Sequence, residues 1–348
     1  MNYMQQLYPN AMSRFLKEPD VNRPERFLDN IASKLETHDD VRDTMDTLSD
    51  GLWWLKRTMS GDDWRAFLDT AQKHRVLELV HEDPFTRRSY QKPRGYAGDA
   101  PLLDLIYYDL GLADLTGASE LGKAIFARNK DTPAPIAVRE RRDFVARLID
   151  VTCAEKEEAE ILCAACGHLR EAKVSRAVSE HRFRRFVALD QDMESLAVVA
   201  QAFPHSGIEI ANVRMKAFLG NVFPSASFDL IYAAGLYDYL EDRFAERLTS
   251  CFFRMLKPGG RFVIGNFVPD IYDVGYMEAY MGWTLIYRDG LAMLRLTNSL
   301  PQEEISTRRV YTLTLPDIVY LEVRKRQTRH NFYSTRPSKV DAIPISLS

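Results

Sequence analysis

The residues best placed by type and spacing to do chemistry lie in one run, Ile161-Leu162-Cys163-Ala164-Ala165-Cys166-Gly167-His168-Leu169-Arg170-Glu171. An acid, Asp190, follows about twenty positions later, at the end of the next apolar run. Ala164 to Gly167 are small enough for a ligand to approach backbone N–H groups, and a terminal acid accepts hydrogen bonds from ribose hydroxyls. Cofactor contacts are therefore expected from Ala165, Cys166, Gly167, Arg170, Glu171, Asp190 and Gln191. Only Gly167 is a glycine, so the GxGxxG pyrophosphate fingerprint is absent, and Glu171 at the mouth of the following helix would repel phosphates. An acid there suits a cationic ligand. S-adenosylmethionine, with its ribose, sulfonium and ammonium, is such a ligand, and S-adenosylhomocysteine is its product.

A second group of polar residues is expected to face the acceptor. Asp83 to Arg88 and Lys92 to Pro101 read as a loop rich in proline and glycine, carrying Arg94, Tyr96 and Asp99. Asp99 also suits the cap of a helix beginning at Pro101. Ala234, Gly235, Tyr237 and Asp238 follow a buried run, Phe228 to Ala233, and Asn266 ends another. Ligands of doubly wound sheets lie at these carboxyl ends. Tyr276, Trp283, Tyr287 and Arg288 come just after, where an acceptor pocket would be roofed, and Lys216-Ala217 follows the third strand, where adenine would be flanked. A carboxylate acceptor is ionised at neutral pH and needs orienting donors, for which Arg94, Tyr96 and Arg288 are candidates. A hydroxyl or amine acceptor needs a base, for which Asp238 or His168 would serve.

The elements that must position these groups are legible as alternating strands and helices. Strands are expected at Ile161–Leu162, Phe186–Leu189, Ile208–Ile210, Phe228–Leu236 and Phe262–Asn266, with a sharp turn at Lys257-Pro258-Gly259-Gly260-Arg261. Helices are expected from Arg170 to Ser179, Met193 to Phe203 and Phe244 to Leu256. Val310–Leu315 and Ile318–Val323 alternate around Pro316-Asp317 as a closing antiparallel hairpin.

Residues 1–150 read as a helical N-terminal domain contributing the 93–99 loop, 151–330 as the ligand-binding sheet domain with a helical insertion at 270–300, and 331–348 as a flexible tail. In the first region Asp62 or Asp63 is expected to cap a helix running from Trp64 to Val80. Arg139, Arg141 and Arg142 are expected on a solvated helix face. The 348 residues carry a net charge of -3, which excludes a nucleic-acid partner held mainly by electrostatics. No apolar run is long enough for a bilayer span, and Met1 to Glu18 lacks the order of a secretory signal. The four cysteines are read as reduced in a cytoplasmic protein, Cys163 and Cys166 having no second pair to complete a metal site, so no metal is expected. The expected partner is a small-molecule acceptor, with a homodimer the assembly allowed for.

The order of these motifs resembles class I S-adenosylmethionine-dependent methyltransferases over residues 155–268: small-residue turn, second-strand acid, FDLI strand, then Leu256-Lys257-Pro258-Gly259-Gly260-Arg261 and another strand. The chain departs from that pattern in the turn, where the glycine-rich loop is reduced to Ala165-Cys166-Gly167, and at Cys163, which stands where the first-strand acid is usual. Glu171 is the expected substitute for that acid in contacting the methionine ammonium. Four segments are similar to one bacterial subfamily, the extracellular-factor 3-hydroxypalmitic acid methyl ester biosynthesis proteins: Pro93–Asp99, Ala165–Glu171, Gly235–Leu240 and Trp283–Arg288. That resemblance implies an α/β, Rossmann-like sheet, and methylation of a (3-hydroxy) fatty-acid carboxylate to an ester. Two other readings fit the residues: N- or O-methylation of an amino-acid-like or natural-product acceptor, and a non-catalytic sensor of S-adenosylmethionine.

Overall fold

The structure, a computed structural model, describes residues 24–327 apart from residue 221. The tail expected at 331–348 and the segment read for a secretory signal lie outside the described residues.

Amphipathic helices come first: α1 (Pro24–Glu36), α2 (Val41–Thr58), α3 (Gly61–Ala71) and α4 (Val76–Val80). The stripe Phe27, Leu28, Ile31 and Leu35 on α1 is buried, as its spacing requires. The hydroxyl of Ser60, not Asp62 or Asp63, caps α3, and the helix expected to reach Val80 breaks between α3 and α4. α5 (Pro84–Gln91) replaces half of the expected loop. Asp83 accepts from the Phe85 N–H at 2.9 Å, and Pro84 occupies the first turn, where a missing N–H costs nothing. The true loop is therefore 92–99, closed by α6 (Ala100–Ile106). α7 (Glu120–Asn129) and the long α8 (Pro133–Glu155) then carry the chain to the sheet.

Seven strands follow: β1 (Glu160–Ala164), β2 (Arg185–Asp190), β3 (Ile208–Asn212), β4 (Phe228–Ala233), β5 (Leu256–Phe267), β6 (Ile305–Thr312) and β7 (Ile318–Lys325). Their order is β3-β2-β1-β4-β5-β7-β6, with the first five parallel and β7 antiparallel to both β5 and β6. The order reverses between β1 and β4, so a crevice opens at their carboxyl ends. The Lys257–Arg261 segment is not a turn. It enters β5 as an irregular strand with a register shift against β4, and a Cβ on Gly260 would stand 2.9 Å from the Phe228 carbonyl. The helix expected from Arg170 to Ser179 is broken into α9 (Arg170–Val174) and α10 (Arg176–Ser179) by Ser175, whose hydroxyl caps Val178 and donates to Asp150. α11 (Met193–Ala202), the short α12 (Met215–Phe218) and α13 (Asp242–Met255) link the later strands. The expected insertion at 270–300 holds only α14 (Val274–Tyr280) and α15 (Gly290–Arg295), with irregular chain between them.

Alternate strand residues feed different cores, as the two-residue period of a strand demands. Ile161, Cys163, Phe186 and Tyr232 pack with the N-terminal helices in one continuous cluster. Leu162, Val187, Ile231 and Phe262 pack on the opposite face. Because one core joins the helices to a sheet face, the crevice is walled by both. Among the described residues no helix is long and apolar enough to cross a membrane.

Candidate functional site

A cavity of about 470 Å³ opens at the carboxyl ends of β1, β2 and β4, beneath the 92–99 loop. Its floor is the turn after β1. Ala165, Gly167 and Leu169 all adopt left-handed backbone, with φ of +57°, +51° and +52°. The chain thus keeps a glycine-like path with only one glycine, which stores strain at two L-residues. Hydrogen bonds from neighbouring strands hold the turn in place. Cys166 N–H donates to the Leu189 carbonyl at 3.0 Å, and Gly167 N–H donates to the Asp190 carboxylate at 2.8 Å. Asp190 also accepts from the Asp192 N–H at 2.9 Å, and burial raises its carboxyl above the usual range.

Glu171 reaches back from α9 to the first strand. Its carboxylate accepts from the Tyr232 hydroxyl at 2.8 Å and lies 3.7 Å from the Cys163 sulfur. Burial raises its pKa despite these donors. The opposing cation is Arg141 of α8, 4% exposed, whose Nη1 donates to the Ala234 carbonyl at 3.0 Å. Its Nε is buried with no hydrogen-bond partner, so it has donor capacity left for a ligand. A Cβ at Gly235 would lie 3.3 Å from this guanidinium, and glycine there keeps the approach open. The solvated-face expectation therefore fails. Arg141 belongs to the cavity, Arg142 is bound by both oxygens of Asp109, and Arg139 donates to the Lys130 carbonyl at 2.7 Å.

The loop supplies Arg94, Gly95, Tyr96 and Gly98 to the wall. Arg94 pairs with Asp192 at 2.6 Å and Glu194 at 3.0 Å, and donates to the Ser195 hydroxyl at 2.8 Å, which fastens the loop to the start of α11. Burial, then the charges of Asp190, Asp192 and Asp99, push the Tyr96 hydroxyl far above its usual range. Burial pushes Tyr107 up to about 12, and Tyr239 is also raised. All three phenols line the cavity as protonated donors.

The cavity brings together Ala165, Cys166, Gly167, Arg170, Glu171, Asp190, Gln191, Ala234 and Gly235 with Arg94 and Tyr96. Several other expected residues lie elsewhere. Arg288 is 2% exposed and donates to the Tyr237 and Leu240 carbonyls, Asn266 Oδ1 and Asp242, so its donors are engaged within the protein. Asn266 donates to the Phe267 and Ile286 carbonyls. Asp238 accepts from the Phe267 N–H at 2.7 Å inside the core, where burial pushes its carboxyl up to about 7. Tyr237 is buried with its hydroxyl on Thr249, and Tyr276 is held by Thr86 and Asn129. Asp99 is a cap for Leu102 and a bidentate partner of Arg88, with no face on the cavity. Lys216 and Ala217 are exposed, and Met215 lines the cavity in their place. Trp283 and Tyr287 are also outside it, though Trp283 donates to the Tyr239 hydroxyl at 2.9 Å. Arg170 and His168 are tied to Asp104 of α6, and His168 Nε2 is buried without a partner.

The residues missed from sequence include Arg141, Tyr107, Met215 and Tyr239, with the apolar Leu103, Leu236 and Leu240. Arg141 had a signal. It lies on the same helical stripe as Ala134, Ala137, Val138 and Val145, all buried, so its spacing marks a charge on an apolar face. Tyr239 did not, because the 3₁₀ turn Tyr237–Tyr239 decides which of its side chains faces in.

The description "Methyltransferase domain" matches residues 162–264. No curated protein matches the chain significantly. Among solved structures, a possible exported protein from Bordetella parapertussis is similar at 16% identity and a TM-score of 0.49, covering 77% of this chain and 100% of its own. An S-adenosylmethionine-dependent methyltransferase from Mesorhizobium loti is similar at 19% identity and 0.38, over 48% and 91%. The N-methyltransferase NodS from Bradyrhizobium japonicum, in complex with S-adenosyl-L-homocysteine, is similar at 19% identity and 0.39, over 57% and 90%. These likenesses are too distant to bear on an acceptor. The matched model spans the small-residue turn, Asp190 and the strand ends that wall the cavity, so residues 162–264 form a methyltransferase domain built on a doubly wound, Rossmann-like sheet.

Proposed function

We propose that the protein methylates the carboxylate of a small acceptor with an apolar body, a (3-hydroxy) fatty acid, to give a methyl ester. The observation that carries this reading is the character of the cavity wall: the phenols Tyr96, Tyr107 and Tyr239 stay protonated, and the same cavity is lined by the apolar Leu103, Leu236 and Leu240. Neutral donors orient an already ionised carboxylate without the strong stabilisation a paired cation would impose on the nucleophile.

The remaining walls fit the cofactor. Asp190 and Gln191 would hold the ribose, the backbone of Ala165 to Gly167 the polar middle, and Met215 the adenine edge. Glu171 would take the ammonium, and Arg141, with its unpartnered Nε, the methionine carboxylate. When bound, S-adenosylmethionine supplies a sulfonium methyl group, which the acceptor oxygen takes while sulfur keeps the electron pair, leaving S-adenosylhomocysteine. The protein's part is alignment and exclusion of water: the Arg94 strap holds the loop over the cavity, and Tyr96 and Tyr239 orient the acceptor oxygen.

One observation favours a second reading, transfer to a hydroxyl or amine. His168 pairs through Nδ1 with Asp104 at 2.8 Å and leaves Nε2 unpartnered, as a general base would. The test is methyl transfer from labelled donor to a panel of 3-hydroxy fatty acids, plain fatty acids, amino acids and amines. Label in a base-labile, solvent-extractable product is expected. Label only in a base-stable product would overturn carboxyl methylation and make His168→Gln the next variant.

A further inference from the structure

Behind the reaction cavity lies a second, much smaller one of about 30 Å³, lined almost wholly by apolar groups. Phe85, Ile106, Val138, Met277 and Met281 enclose it between the N-terminal helices and α14. Trp283, together with Tyr239, stands between the two spaces. Trp283 lines the small void, while its Nε1 donates at 2.9 Å to Tyr239, which lines the large one. On the same boundary the loop makes room for the indole only because residue 98 is glycine, since a Cβ there would stand 2.5 Å from both the Trp283 ring and the Tyr239 hydroxyl. Ile106 on the void and Tyr107 on the reaction cavity are chain neighbours, so the end of α6 borders both spaces.

We propose that Trp283 is the specificity-determining residue that ends the acceptor site and limits the length of the apolar chain it accepts. This rests on the reading above that the acceptor has an apolar body. The indole is large, apolar on the void side and pinned by one hydrogen bond on the reaction side, so it acts as a fixed stop. The void behind it is small and apolar, and removing the indole would join it to the reaction cavity as one longer apolar channel. Pocket ends of this kind discriminate at about 10–200-fold per methylene.

The experiment compares kcat/KM for straight-chain carboxylic acids of increasing length in the wild-type protein and in Trp283→Ala, Trp283→Phe, Ala134→Leu and the double variant Trp283→Ala/Ala134→Leu. Ala134 lines the void and not the reaction cavity. Trp283→Ala is expected to shift the optimum to longer acids, raising the long-to-short ratio by about tenfold or more, with S-adenosylhomocysteine affinity unchanged. Trp283→Phe, which keeps a ring and loses the N–H, should leave the length optimum in place. Ala134→Leu alone should leave the length optimum in place, yet it should cancel the gain in the double variant by refilling the channel. An unchanged optimum in Trp283→Ala, or a gain that Ala134→Leu does not cancel, would overturn the proposal. If Trp283→Ala loses S-adenosylhomocysteine binding through misfolding, Trp283→Leu takes its place with the same criteria. If the wild-type protein esterifies no acid but methylates amines or alcohols, carboxyl methylation fails, and the same variants on a series of alkyl amines or alcohols still decide the role of Trp283.

Discussion

Asp190 ends β2 and Asp238 follows β4, so both acids lie near the carboxyl edge of one parallel sheet. Asp190 accepts two backbone N–H groups and still faces the cavity, while Asp238 accepts one and faces only the core. The same contrast runs through their neighbourhoods. Around β1 and β2, polar groups are held by backbone and left available. Around β4 and β5, Arg288, Asn266 and Asp238 are committed to one another's loops. A polar residue at a strand end therefore marks a site only where the backbone satisfies it from behind. Where it satisfies a loop instead, it is scaffolding.

Arg288→Met probes the scaffold side most severely. It leaves the Leu240 carbonyl and the buried Asn266 Oδ1 without a donor and takes one of two donors from the Tyr237 carbonyl, and should cost roughly 3–5 kcal/mol in denaturant unfolding. Full stability with lost activity would move Arg288 to the other side of the comparison. Asp190→Asn probes the binding side. It should weaken S-adenosylhomocysteine, by calorimetry, on the order of tenfold to a hundredfold, the value of a charged hydrogen bond, with a cooperative fold retained. Unchanged affinity would remove the ribose from Asp190.

Asp238 separates the two regions by pH. Its folded pKa of about 7 lies above the unfolded carboxyl value, so between those values the folded state holds a proton that the unfolded state has released. This group therefore favours folding at acid pH and loses that contribution as pH rises toward and through about 7. Asp238→Asn keeps the acceptor for Phe267 and should surpass wild-type stability by a margin that grows as pH rises from about 5 to about 8. Loss of an inflection in the kcat profile instead would make Asp238 a base. The smallest effect is expected at the strained turn. Ala165→Gly relieves a left-handed alanine, φ +57°, at the cost of unfolded-chain entropy. The net should be a gain of about 0.5–1 kcal/mol in thermal unfolding, and a loss would mean that the turn carries no strain.

The floor of the cavity was legible because its signals are local. Small residues, an apolar run and a terminal acid follow one another in the chain, and the sheet order returns them to one place. The wall under the 92–99 loop was not legible, because its partners come from far apart. Tyr96 and Tyr239 meet as rings 6.2 Å apart only after the loop folds onto the sheet edge. Asp99 had been assigned a ligand, but Arg88 claimed it once α5 formed.

The sequence alone determined the alternation of strands and helices, the turn after β1 and the acid of β2, because periodicity and short-range spacing are properties of neighbours along the chain. Tertiary structure decided which polar side chains remain free. An arginine has the same formula in α8 and after α14. Only packing left the Nε of Arg141 unpartnered beside a cavity and gave every face of Arg288 a carbonyl or carboxylate to bind.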